Sequence, residues 1–137
     1  MNIEFLESGS TDCPLVRIYG TKAAEIASLH SLVGLAARGV GGSCSTLEVS
    51  ELAASSVVLE LEIATSEIGV RRASDDKNKF FWMLTPERRT VVAGLIQPFV
   101  TEARHDTHQW ICGPNARYGL EVGSISILLS CSIDGSW

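Results

Sequence analysis

Apolar and polar positions alternate in short runs along most of the chain, and two longer stretches carry a helical period instead. Ile3 and Phe5 mark a short first strand. Ser8-Gly9-Ser10-Thr11-Asp12-Cys13-Pro14 is turn chemistry, since glycine relaxes φ, aspartate bonds its own backbone and proline fixes φ. Leu15–Tyr19 returns as a second strand, and the pair reads as a hairpin. Thr21 suits a helix N-cap, and Ala23, Ile26, Ala27, His30, Val33 and Ala37 follow along one stripe with Leu29 on its flank. Gly39 is placed to end that helix.

An edge strand is expected around Thr46–Leu52. In Val57–Ile63, residues Leu59, Leu61 and Ile63 point one way and Glu60 and Glu62 the other, the mark of a strand with one buried face. A turn near Thr65-Ser66 would return Ile68–Arg72 beside it, setting Glu60 opposite Arg71, Leu61 opposite Val70 and Ile63 opposite Ile68. After an Asp75–Asn78 loop, Lys79–Leu84 has apolar residues on both faces, as a central strand covered twice would.

Thr85-Pro86-Glu87 is the clearest local signal. Threonine caps, proline is preorganised at the first helical position, and glutamate suits the positive end of the dipole. Val91, Val92, Leu95, Ile96, Phe99 and Val100 then share a face, and Pro98 is expected to kink or end the helix. Strands at His108–Cys112 and Ser124–Ser132 complete the chain. No internal repeat is visible. The order predicts an α+β fold, a mostly antiparallel sheet of six to eight strands with two helices, at about 21–38 and 86–103, packed on it.

The 137 residues suit a single domain, residues 1–137, and the 45% apolar and 20% charged composition is that of an ordinary globular chain. Acidic residues interrupt the apolar run at the N-terminus, and no window approaches a bilayer-crossing length, so a soluble, cytoplasmic protein is expected. Four dispersed cysteines, Cys13, Cys44, Cys112 and Cys131, then belong to a reducing compartment, with Cys112 and Cys131 as small strand hydrophobes. A net charge of −5 argues against general nucleic-acid or anionic-membrane binding. The charge is nonetheless uneven, with −6 in residues 1–67 and +1 in residues 68–137.

Candidate chemistry is sparse. His105-Asp106-Thr107-His108 with Cys112 offers zinc-type donors without a recognised ligand spacing. Gly39–Ser45 follows a helix rather than opening one, so it reads as a connector before it reads as a phosphate cradle or a nucleophile turn at Ser43 or Cys44. His30 on an apolar stripe reads as a half-buried structural histidine. Arg71, Arg72, Lys77, Lys79, Arg88 and Arg89 surround Phe80, Phe81 and Trp82, a pairing of bases and aromatics that single-stranded nucleic acids use, although this aromatic run reads as core. Trp110 reads as core, and Trp137 as pinned to the body or buried by a partner. The expectation is a non-enzymatic binding or protein-interaction domain, able to self-associate, with no cofactor or catalytic residue assigned. The alternative is a small enzyme or ligand- or metal-binding protein using Cys44 or the His105/His108 cluster.

Overall fold

A computed structural model describes residues 1–8, 13–37, 44–46, 55–65, 69–102, 107–112 and 125–132. The elements are β1 (Asn2–Leu6), β2 (Leu15–Tyr19), α1 (Ala23–Ala37), β3 (Cys44–Ser45), β4 (Val58–Ile63), β5 (Gly69–Arg72), β6 (Lys79–Leu84), α2 (Pro86–Thr101), β7 (Thr107–Cys112) and β8 (Ser126–Cys131). The α+β class and the two helices agree with the sequence. The single, mostly antiparallel sheet does not: the strands form two mixed four-stranded sheets, β1-β2-β8-β7 (sheet A) and β3-β4-β6-β5 (sheet B).

Each sheet is two antiparallel pairs joined by a parallel seam, β2 to β8 in sheet A and β4 to β6 in sheet B. That arrangement reveals a duplication that residue identities conceal. The chain runs ββαββ twice, and exchanging the two halves turns sheet A into sheet B. Each sheet takes one strand pair from each half. The helices correspond closely: buried Ile26, Leu29 and Val33 of α1 recur 63 positions later as Arg89, Val92 and Ile96 of α2. The junctions correspond as well. Ile3 N of β1 donates to Ser55 Oγ before β4 (3.1 Å), and Val70 O of β5 accepts from Ile125 N before β8 (3.5 Å).

The expected β1–β2 hairpin is present, pairing Ile3 with Ile18 and Phe5 with Val16. The expected β4–β5 pairing is not, because β6 lies between them. The rows read Glu60–Phe81–Arg71 and Leu61–Trp82–Val70, so residues assigned to neighbouring strands share a face at twice the separation. Glu60 pairs with Lys79 instead, at 2.6 Å. Ile68 and residues 47–54, which include most of the expected Thr46–Leu52 strand, lie outside the described residues. The described edge strand is Cys44–Ser45, and buried Thr46 extends it by accepting Leu59 N on Oγ1 at 3.1 Å.

Helix α1 starts at Ala23 rather than Thr21, with Lys22 O accepting from Glu25 N and Ile26 N. Its buried face is Ile26, Leu29, Leu32 and Val33, turned from the expected stripe so that Ala23 is exposed. Helix α2 begins as expected. Thr85 Oγ1 accepts from Arg88 N at 3.3 Å and Pro86 is the first helical residue. It continues through Pro98 to Thr101, and Pro98 O accepts from Glu102 N at 2.8 Å. Its buried residues are Arg89, Val92, Ile96 and Phe99, whereas Val91 is 40% exposed.

One apolar core joins both helices to the inner faces of both sheets. Ile3, Val16, Ile18, Ile127 and Leu129 come from sheet A, and Leu59, Leu61, Val70, Phe80, Trp82 and Leu84 from sheet B. Where the sheets meet, Phe5 and Phe80 lie 4.7 Å apart between ring centroids, with Arg72 stacked 4.8 Å over Phe5. The outer faces differ. Every residue of β8 is buried, including Leu128 on the outer side, so β8 is the strand covered twice. The expected double cover of β6 holds on one side only: Phe80, Trp82 and Leu84 are buried, while Phe81 and Met83 are half-buried. Among the described residues, no helix is long and apolar enough to cross a membrane.

Candidate functional site

The residues singled out in the sequence do not gather at one place. His108 is exposed on β7, and the Cys112 backbone closes that strand. His105 and Asp106 lie outside the described residues, as do Gly39–Ser43 and Trp137. Among the described residues no group of three His, Cys, Asp or Glu side chains is placed to hold a metal. His30 is half-buried on α1. Trp110 is half-buried, opposite outer-face Leu128, and therefore does not belong to the common core. Cys131 is buried in that core as expected of a small hydrophobe.

Two places carry unusual chemistry. The first is the outer face of sheet B. The period-2 pattern of β4 and β6 turns Val58, Glu60, Glu62, Lys79, Phe81 and Met83 away from the core, and all six are half-buried. Both helices pack on the opposite side, in one cluster with Leu59, Leu61 and Phe80. The face is zoned by charge, with Glu60 and Glu62 on β4, Phe81 and Met83 along β6, and exposed Arg71 on β5. Cations bracket the aromatic ring: Arg71 lies 5.4 Å and Lys79 5.0 Å from the Phe81 centroid. The hydrogen bond to Glu60 holds the Lys79 ammonium above its ordinary range; burial opposes it, and the charges of Glu60, Asp75 and Asp76 reinforce it. The basic and aromatic stretch is thus split between two faces, because Arg72 stacks inward over Phe5 and Phe80 and reaches Glu7 at 3.6 Å.

The second place is the start of α2. Arg89 is fully buried, and its Nε and both Nη atoms have no hydrogen-bond partner among the described residues. Burial lowers its pKa from the usual guanidinium value, and nearby Cys44 partly opposes that shift. Cys44 is half-buried on β3 and faces the core opposite Leu61, which is itself opposite Trp82. The indole Nε1 of Trp82 is also buried without a partner among the described residues. Reading residue types placed Arg89 among the bases of the aromatic stretch and missed its burial, because arginine beside a helix start reads as solvated. The 3–4 spacing of Arg89, Val92, Ile96 and Phe99 is the signal that places it on the buried stripe. A separate cavity of about 250 Å³ lies between the last turn of α2 and β7, where Pro98, Phe99, Glu102 and Thr107 line it.

No family model matches this chain, and no curated protein or solved structure matches it.

Proposed function

We propose that this chain is a non-enzymatic protein-interaction domain that self-associates through the outer face of sheet B. The supporting observation is the order of groups across that face, Glu60 and Glu62 on β4, Phe81 and Met83 with Lys79 on β6, and Arg71 on β5. A two-fold axis parallel to the strands and passing over β6 would lay β4 of one copy on β5 of the other. Glu60 then faces the second copy's Arg71, and Phe81 faces its own counterpart. This is an isologous contact in which one patch complements itself. A two-fold axis across the strands would instead set like charges together.

The face of β4, β6 and β5, six residues long in β4 and β6 and four in β5, spans at most about 14 Å by 20 Å, or roughly 280 Å² per copy. Stable interfaces cover nearer 800 Å² per partner, so the expected dimer is weak and transient. Sedimentation velocity from about 10 μM to about 1 mM reads that range. Arg71→Glu sets two acids against each other across the axis and Glu60→Arg sets two bases against each other, so each variant alone should stay monomeric. Mixed in equal amounts, the two variants should associate. A wild type that stays monomeric at the highest concentration overturns self-association and leaves this face to a different protein. A mixture that stays monomeric beside a dimeric wild type overturns the pairing of Glu60 with Arg71.

A second reading, a small-ligand-binding protein, is favoured by the buried guanidinium of Arg89.

A further inference from the structure

Arg89 presents a problem of charge that the described chain leaves open. A guanidinium carries five N–H donors and no acceptor. All three of its nitrogens are buried here without a partner among the described residues. Taking a cation out of water without a counter-charge costs several kcal/mol, which is why buried arginines are paired with acidic groups. The other buried side-chain polar atom without a partner among the described residues is also a donor, Trp82 Nε1. Among the described residues, donors are in excess here and no acceptor meets them.

Packing does not demand an arginine at this position. In the other half of the duplication Ile26 occupies the matching place on α1, where it is buried at 1% exposure. The architecture is therefore satisfied by hydrocarbon, and the guanidinium is an addition to it. Three features meet beside this addition. Arg89 lies in the first turn of α2, the positive end of the helix dipole. Thr85 Oγ1 already caps Arg88 N, and Thr85 O already accepts from Arg89 N, so the strand-to-helix turn is held in place without help from the Arg89 side chain. Cys44 approaches from the edge of sheet B, in the same row as Trp82.

We propose that Arg89 anchors a buried oxyanion site at the β6–α2 junction, with Cys44 at its rim, which takes the carboxylate or phosphate group of a small ligand. A planar guanidinium offers parallel N–H pairs whose spacing matches two oxygens of either group. Binding supplies the missing acceptor and counter-charge together. The site is independent of self-association, since Arg89 and Cys44 face the core and the docking face lies on the other side of sheet B.

Thermal unfolding of the full chain tests this, with acetate and inorganic phosphate as separate probes from about 0.1 to 50 mM at fixed ionic strength. Binding to the folded state raises the midpoint in proportion to the logarithm of ligand concentration above Kd. The wild type should show that rise with at least one probe, and whichever probe acts identifies the oxyanion. Arg89→Met keeps the side-chain length and removes the charge. It should abolish the response and, without either anion, melt above the wild type. Arg89→Lys should retain a weakened response. Two results overturn the site: equal midpoints with and without both probes in the wild type, or an Arg89→Met variant that melts below the wild type without anions. The second would mean that a carboxylate of this chain already holds the guanidinium.

Discussion

If the duplicated halves form one cooperative structure, damage to either sheet must loosen both. Leu61 and Leu129 are the sharpest probes. Each is fully buried, and each sits on the parallel seam of its own sheet, opposite Trp82 and Ile18 respectively. Truncating a fully buried leucine to alanine costs about 3 kcal/mol, the transfer of the lost carbons plus the cavity they leave. With an m-value of about 2 kcal/mol/M in urea, each substitution should lower the unfolding midpoint by about 1.5 M. The melting temperature should fall by roughly 10 °C. Urea titration by circular dichroism reads the cost, and amide hydrogen exchange resolved on β4 and β8 reads where it falls. Leu129→Ala should reduce protection in β4 as much as in β8, and Leu61→Ala should do the same. A Leu129→Ala protein whose β8 exchanges freely while β4 keeps its wild-type protection would refute the single shared core. A cost below about 1 kcal/mol at either site would refute the packing ascribed to it.

Two further outcomes follow from local geometry. Thr85→Ala removes the acceptor for Arg88 N and should cost about 1 kcal/mol in the same titration, with Thr85→Ser restoring most of it. The ammonium of Lys79 is raised above its ordinary 10.5 by Glu60, so this pair stabilises the fold below pH 10.5 and its contribution disappears as pH climbs through the raised value. Wild-type stability should therefore fall more steeply than that of Glu60→Gln above pH 10.5; parallel curves would show that solvent screens the pair completely.

What was legible in the sequence was local and periodic. Thr85-Pro86-Glu87 fixed the start of α2, and the alternation of Leu59, Glu60, Leu61 and Glu62 fixed the faces of β4. Faces do not determine neighbours. Glu60 and Arg71 share a face whether they are adjacent or separated by Phe81, so the inserted strand β6 left no trace in the pattern. The parallel seams are equally silent, because β2 and β8 are joined through almost the whole chain. The duplication was hidden because its halves match in burial and not in residue type, as Ile26 and Arg89 illustrate. That mismatch also concealed the candidate anion site. The proposed docking face was half legible: its bases and aromatics were visible as a run, but their division between Phe81 outside and Phe80 inside follows from the strand geometry.

The parallel seam of sheet A also has a consequence for synthesis. Sheet B uses only strands that end by Leu84, whereas sheet A needs β8, which ends at Cys131. On a ribosome, the β1–β2 hairpin must therefore wait beside an unfilled place until the last strand emerges. Its inner residues Val16 and Ile18 stay without the partners Ile127 and Leu129 throughout that interval. A strand edge left open in this way is the site at which nascent chains pair with the wrong neighbour. A chain cut short before β8 should accordingly fail by aggregation, even though every strand of sheet B is present in it.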